Sequence, residues 1–199
     1  KFEIKKYSIY MFKKIEFIAV ILIFSLIQIP ISRSENIECE NLFSVYLETD
    51  ENSVMNILVP CAEKGDHFAQ LLLAEEYFFT LKDFALAYKW YQSASEAGYY
   101  YATYRLGTMY ENGQHVFKNN KKAIELYHEA ADGGIEEAQF QLGIIYGEKK
   151  WGFILTRDYE ESLKWFKKVA EAEGELAATA AYNVYIIYSN EWAEGDTNK

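Results

Sequence analysis

Four glycines divide this 199-residue sequence into units of similar length, because each stands four residues before an alanine. They are Gly65, Gly98, Gly134 and Gly174, and successive glycines lie 33, 36 and 40 residues apart. A repeating unit of this length that is rich in helix-forming residues is typical of a stacked helical solenoid. We therefore expect the chain to present a surface to a partner and not to carry out chemistry of its own.

Each unit reads as helix A, a loop, helix B and a glycine-containing turn. In helix A, small and apolar residues recur at offsets 0, 4, 5 and 8, which places them on one side of a helix. They are Ala69, Leu73, Ala74 and Tyr77, then Ala102, Leu106, Gly107 and Tyr110, then Ala138, Leu142, Gly143 and Tyr146. The small residue at offset 5 predicts a close helix contact, and the glycine after helix B predicts a left-handed C′ residue.

Helix B is marked by an aromatic or leucine–aromatic pair, and the loop before it varies in length. The pairs are Trp90-Tyr91, Leu126-Tyr127 and Trp165-Phe166. The second residue of each pair follows the tyrosine of helix A by 14, 17 and 20 residues. Insertions of three residues that are confined to one loop leave the stack of helices intact.

The pattern resembles the Sel-1-like repeat family, a relative of the tetratricopeptide repeats. The best copy is Ala102 to Gly134, while Ala74 and Asn183 stand where the family has a helix A glycine. The resemblance implies an all-α, right-handed α/α superhelical solenoid. It assigns residues 35–65 to a degenerate first hairpin, 66–174 to three repeats, 175–192 to a capping helix and 193–199 to a flexible tail. As a function it implies a protein–protein interaction adaptor.

The N-terminal segment has the pattern of a signal peptide. Residues 1–10 precede a natural start at Met11, and residues 11–34 contain a basic pair, a fifteen-residue uncharged run and a small-residue cleavage site before Glu35. We expect a periplasmic or secreted protein. An uncleaved membrane anchor, which would make the protein an anchored scaffold, is the alternative.

Without residues 1–34, the chain has 14 basic and 28 acidic residues and a net charge of −14. Such a body repels phosphate backbones and anionic lipids, so we expect no nucleic-acid partner and no membrane binding after cleavage. A cationic protein or peptide is the favoured partner. One specific version is an immunity or escort protein for a basic secreted factor.

The two cysteines fall in the degenerate first hairpin. In an antiparallel hairpin centred near residue 50, residues whose numbers sum to 100 face each other, as Cys39 and Cys61 do. In an oxidising compartment this predicts a disulfide. The alternative is two buried thiols in a cytosolic protein. The pair is similar to the cysteine-rich secreted branch of the Sel-1-like family.

No catalytic motif stands out. His67, His115 and His128 lack a second ligand at metal-binding spacing, and neither Ser-x-x-Lys nor Gly-x-Ser-x-Gly occurs. We expect no cofactor, no metal and no enzyme activity. Resemblance to the cysteine-rich branch leaves one alternative, a β-lactamase or cell-wall-active hydrolase.

In tetratricopeptide-like stacks, helix A lines the concave wall. The resemblance therefore predicts a groove for a basic or amphipathic peptide, with Tyr101, Tyr104 and Phe140 as its central anchor. Packing of these side chains against neighbouring helices is the alternative. The predicted partner-binding residues are Phe68, Leu71, Glu75, Phe78, Tyr101, Tyr104, Thr108, Phe140 and Ile144.

Overall fold

The described part of the protein consists of helices stacked in chain order. The structure, a computed structural model, describes Cys39, Leu42, Tyr46 and residues 51–147, 158–172 and 174–196. The predicted signal peptide lies outside these residues. The described residues form eight α-helices: α1 Glu51–Glu63, α2 His67–Glu75, α3 Phe84–Glu96, α4 Tyr100–Asn112, α5 Asn120–Asp132, α6 Glu136–Gly147, α7 Tyr159–Glu171 and α8 Ala177–Asp196.

Each helix packs mainly against its neighbours along the chain. The pairs α2/α3, α4/α5 and α6/α7 are the three predicted hairpins, and all the extensive contacts among the described helices join chain neighbours. This arrangement is that of a repeat solenoid, in which each unit is stabilised by adjacent units. The predicted all-α repeat solenoid is confirmed. No described helix has both the length and the apolar character needed to cross a membrane.

The loops between helix A and helix B differ in length, but each ends at an equivalent backbone hydrogen bond. In each repeat the N-cap residue of helix B donates its backbone N–H to the carbonyl of the helix A tyrosine, at 2.9 Å. The cap side chain also accepts from backbone N–H groups in the first turn of its helix, a contact that stabilises a helix by about 1 kcal/mol. Loop length therefore changes without moving helix B. The bonds join Asp83 to Tyr77, Asn119 to Tyr110 and Asp158 to Tyr146.

The small residue of helix A makes room for an aromatic ring of helix B. A Cβ atom on Gly107 would lie 2.7 Å from the Tyr127 ring, and one on Gly143 would lie 2.7 Å from the Phe166 ring. Both rings are buried. The contact predicted at offset 5 is thus made by a side chain and not by a helix backbone.

Three of the four repeat glycines have the left-handed conformation that the sequence predicts. Gly65, Gly98 and Gly134 have φ values of 90°, 88° and 90°. For Gly174 the prediction is wrong, because its φ lies outside the left-handed region. A Cβ atom there would instead clash with the Glu136 carboxylate, which also accepts the Leu176 N–H at 3.1 Å.

The last helix packs in a different register from the one its glycine predicts. Ala178 is exposed, whereas Ala180 is fully buried and packs with Ile187 against α7. The connection after α7 does not use the glycine turn of the earlier repeats, so the packing alanine falls two residues later. The helix extends to Asp196, beyond the predicted boundary at 192.

The predicted disulfide between Cys39 and Cys61 is present in the structure. Their sulfur atoms are 2.06 Å apart and their Cα atoms 5.7 Å apart. Both cysteines are buried in a cluster with Leu42, Leu58 and Leu73. Closing a loop of 22 residues stabilises the folded state by about 3 kcal/mol. Cys39 and the residues that pack beside it are therefore held to α1 by a covalent bond and by packing.

We predict that Gly143→Ala destabilises the protein through the Phe166 ring. Overpacking should lower the free energy of unfolding by about 1–3 kcal/mol. The higher helix propensity of alanine should offset about 1 kcal/mol of this loss. Urea denaturation measures the change. In a Phe166→Leu background the same glycine substitution should cost less. An equal cost in both backgrounds would show that the ring contact is not the cause.

Candidate interaction surface on the A helices

Two of the nine predicted partner-binding residues are not open to solvent. Leu71 is 2% exposed and Phe78 is 8% exposed, so the expectation of an accessible side chain is wrong for both. Leu71 lies in a run of six consecutive buried residues of α2. The Phe78 ring lies in the π-helical turn Glu76–Thr80 that continues α2, and it contacts the Phe84 ring at 5.3 Å. The short loop of the first repeat brings the start of α3 against this turn.

The other predicted apolar residues are half-buried. Phe140 and Ile144 pack into the cluster of α7 and α8, and the Phe140 ring lies 5.4 Å from the Phe166 ring. Phe68 packs against the cluster around the disulfide. Tyr101 and Tyr104 lie together, with ring centroids 5.9 Å apart. A continuous apolar groove is therefore not formed, and the aromatic residues alternate with charged ones.

The first polar contact of this surface is centred on Glu75. Arg105 of α4 donates from Nε to Glu75 Oε1 at 3.0 Å and from Nη2 to Oε2 at 3.1 Å. Tyr91 of α3 also donates its hydroxyl to Glu75 Oε1. One carboxylate thus joins its own helix B to helix A of the next repeat. We call Glu75, Tyr91 and Arg105 the first rung.

Aromatic rings surround the guanidinium of the first rung. Its central carbon lies 4.7 Å from the Phe79 ring centroid, 4.9 Å from Tyr101 and 5.9 Å from Tyr104. Burial alone lowers the pKa of Arg105, but the Glu75 carboxylate outweighs this effect and raises the pKa above its usual value. The Arg105 side chain is 13% exposed and remains a cation. The Thr108 hydroxyl donates a hydrogen bond to the backbone carbonyl of Arg105 at 2.7 Å.

A second rung has the same plan one repeat later. Glu111 accepts the Tyr127 hydroxyl at 2.6 Å and the Gln141 side-chain amide at 3.2 Å. In both rungs the tyrosine follows the glutamate by 16 residues and the third residue follows it by 30. Burial is the main cause of a raised pKa of Tyr127, and the hydrogen bond to Glu111 raises this pKa further.

The two rungs differ in charge. Gln141 stands 36 residues after Arg105, so the second rung has a neutral amide where the first has a guanidinium. The exposed carboxylate of Glu137 likewise stands 36 residues after Tyr101. The first rung pairs one carboxylate with one cation. The second has a carboxylate and a neutral amide, with Glu137 as a further carboxylate, and neither Glu111 nor Glu137 forms an ion pair within the described residues.

Tyr104 interacts electrostatically with both carboxylates, Glu111 and Glu137. Burial raises the pKa of Tyr104, Arg105 opposes this, and Glu137, Glu111 and Glu75 raise it further. The Tyr104 ring also lies 5.7 Å from the Tyr127 ring. Tyr104 therefore lies between the two rungs, beside the Arg105 cation of one and the carboxylates of the other.

The histidines of the described chain form no reactive group. His128 Nε2 lies 3.0 Å from the Tyr146 hydroxyl, and burial lowers the pKa of His128, which favours the neutral ring. His67 Nδ1 lies 3.0 Å from the Gln70 amide oxygen, and the His115 ring lies 5.5 Å from Tyr88. Among the described residues, no three His, Cys, Asp or Glu side chains are grouped to hold a metal ion.

Comparison with known families agrees with this architecture. The profile of the Sel1 repeat matches three segments, residues 67–99, 101–135 and 136–173, which together make up more than half of the chain. The chain belongs to the Sel1 repeat family. Proteins of this family generally mediate protein–protein interaction. The three matched segments correspond to the hairpins α2/α3, α4/α5 and α6/α7.

Two curated relatives are regulators of an enzyme. The chain is 24% identical over 107 residues to chitin synthase regulatory factor 3 of Schizosaccharomyces pombe. It is 28% identical over 131 residues to chitin synthase regulator SKT5 of Saccharomyces cerevisiae. These matches cover 54% and 63% of this chain but only 11% and 18% of the relatives. The chain therefore spans a small part of the proteins it matches.

Two solved structures of Sel1 repeat proteins share the fold. One is c5321, a protective antigen of uropathogenic Escherichia coli with an SLR fold, at a TM-score of 0.63 and 27% identity. The match covers 71% of this chain and 30% of that one. The other is a Sel1 repeat protein from Oxalobacter formigenes, at a TM-score of 0.61 and 27% identity, covering 70% and 59%.

Sequence reasoning named Glu75 and Tyr104 but missed Arg105 and Gln141 as members of this Sel1 surface. The sequence does contain a signal for them, because each residue of the second rung follows its counterpart in the first rung by 36 residues. This spacing is not visible when positions are numbered from the helix A alanine, since Glu75 then lies at offset 6 and Glu111 at offset 9. Counting back from the helix B tyrosine places both glutamates at the same separation.

We predict that Arg105→Met destabilises the protein more than Gln141→Met. Loss of Arg105 leaves a mostly buried carboxylate with its charge uncompensated and should cost about 1–3 kcal/mol. Loss of Gln141 removes one neutral donor and should cost about 1 kcal/mol, because the Tyr127 hydroxyl remains. Urea denaturation of both variants measures the difference. Equal losses would mean that the two rungs do not differ electrostatically.

Proposed function

We propose that this Sel1 repeat protein is an exported adaptor that binds a basic or amphipathic segment of another protein through the A helices of its second and third repeats. The observation that carries the proposal is the surface formed by Tyr101, Tyr104, Glu111, Glu137 and Gln141, where half-buried rings lie near carboxylates that form no ion pair within the described residues. Rings supply apolar contact area, and carboxylates select a cationic partner.

Family membership and the relatives support a role that is exercised through another protein. The two fungal relatives are named as regulators of an enzyme. An immunity or escort protein for a basic secreted factor is a role of the same kind. For the alternative of a β-lactamase or cell-wall-active hydrolase, neither the motifs of the sequence nor the described side chains supply a supporting observation.

Export is supported by two independent features. Residues 11–34 have the order of charge, apolar run and small residues that a signal peptide needs. The Cys39–Cys61 disulfide is of a kind that persists in oxidising compartments such as the periplasm or the extracellular space.

Mass spectrometry of the protein isolated from its host tests the export step. The expected mature N-terminus is Glu35, with the two cysteines joined. Recovery of a chain that retains residues 11–34 would contradict cleavage and favour the anchored scaffold.

Selection from a random peptide display library tests the binding surface. The purified protein should enrich peptides that combine basic with apolar or aromatic residues. Reversal of charge in the double variant Glu111→Lys and Glu137→Lys should abolish this enrichment, because a cationic segment is then repelled.

A matched control separates the surface from the overall acidity of the protein. Glu129 and Glu160 are exposed on α5 and α7. The double variant Glu129→Lys and Glu160→Lys carries the same change in net charge and should enrich the same peptides as the wild type. Failure of the wild type to enrich any peptide would contradict the adaptor, and equal loss in both double variants would remove the A helices as its peptide-binding surface.

A further inference from the structure

We propose that the second rung is a binding site for the guanidinium of an arginine side chain, which the partner supplies and which Glu111 and Glu137 hold beside Tyr104. This inference rests on the proposed function, since it names the partner chemistry of the same surface. It is argued from a comparison of the two rungs within one chain.

The first rung shows how this architecture holds a guanidinium. Glu75 uses both carboxylate oxygens for Arg105, and the rings of Phe79 and Tyr101 lie within 5 Å of the guanidinium carbon. Two parallel charge-assisted hydrogen bonds and ring stacking are the contacts that favour a guanidinium over an ammonium group. Here the ligand is an arginine of the chain itself.

The second rung keeps the carboxylate of this arrangement but replaces the cation. The Tyr127 hydroxyl and the Gln141 amide both donate to Glu111 Oε2. Within the described residues, Glu111 Oε1 has no hydrogen-bond donor, whereas both oxygens of Glu75 are used. A guanidinium thus has one oxygen of Glu111 open to it, at the position where the first rung is closed.

Glu137 adds a second negative charge at this place. It occupies the helix position that Tyr101 has in the preceding repeat, and its side chain is exposed. Together with Glu111 it makes the second rung doubly negative, next to a first rung that is neutral as a pair. A cation that approaches the A helices is therefore attracted to the second rung in preference to the first.

The rings near the second rung supply the apolar part of the site. Tyr104 is half-buried, and its ring lies 5.7 Å from the ring of Tyr127, whose hydroxyl binds Glu111. A planar guanidinium stacks on such rings, with a gain that is greatest where water is displaced. The expected ligand is thus an arginine with an apolar neighbour, as an amphipathic segment provides.

The test uses N-acetyl-arginine amide as the probe and the side-chain amide signals of Gln141 in ¹H–¹⁵N spectra as the readout. Titration into the purified protein should shift these signals in a saturable way. N-acetyl-citrulline amide has the same shape without the charge and should bind about tenfold more weakly, the loss expected when a charge-assisted pair becomes neutral.

Two variants make the assignment specific. Glu111→Gln keeps an acceptor for the Tyr127 hydroxyl but removes the charge, and the Gln141 shift should be lost while far-UV circular dichroism is unchanged. Glu129→Gln removes an exposed carboxylate from α5 and should leave the shift as in the wild type.

The outcomes separate this inference from the proposed function. Equal shifts with the arginine and citrulline probes, no shift with either, or a shift retained in Glu111→Gln would overturn the guanidinium site. Peptide enrichment by the wild type would then still support the adaptor. Conversely, a charge-dependent shift lost in Glu111→Gln supports the site even where no library peptide is enriched, which would count against the adaptor alone.

Discussion

The contact between an aromatic ring of helix B and a glycine of helix A determines the packing of the second and third repeats. Gly107 accepts the Tyr127 ring and Gly143 accepts the Phe166 ring at distances that leave no room for a methyl group. Close packing of this kind leaves the ring little freedom to move. Because the Tyr127 ring is fixed, its hydroxyl reaches Glu111. The same contact thus closes the hairpin α4/α5 and orients the Glu111 carboxylate.

In this stack the extensive helix packing joins chain neighbours, and the first and last described elements are stabilised differently. At the N-terminal end a disulfide joins Cys39 to Cys61 within a buried cluster. At the C-terminal end α8 packs Ala180 and Ile187 against α7. In solenoids the stability is approximately the sum of the units and their interfaces, so the terminal units are the least protected. A covalent bond offsets this at one end, and a long helix offsets it at the other.

The repeats, the hairpins, the glycine turns and the cysteine pair could all be predicted from spacing, because each is set by residues close in sequence or by the period itself. The errors have a common cause. Leu71 and Phe78 have the inward register of the wall, but a helical period gives the direction of a side chain and not how deeply its neighbours bury it. Gly174 follows the repeat spacing, yet a tertiary contact with Glu136 determines its role. Arg105 resembles a solvated surface residue until its partner 30 positions earlier is known.

The difference between the rungs shows how a repeat protein can convert a structural contact into a recognition contact. In the first rung the cation is part of the chain, so the charge is compensated internally and the contact stabilises the stack. In the second, glutamine in place of arginine keeps a hydrogen bond between repeats but does not neutralise the Glu111 carboxylate. The structural cost of this replacement is small, since Tyr127 still binds Glu111. Arginine at position 141 would neutralise Glu111 and leave a partner's guanidinium without its main acceptor. Position 141 therefore decides whether this contact serves stability or binding.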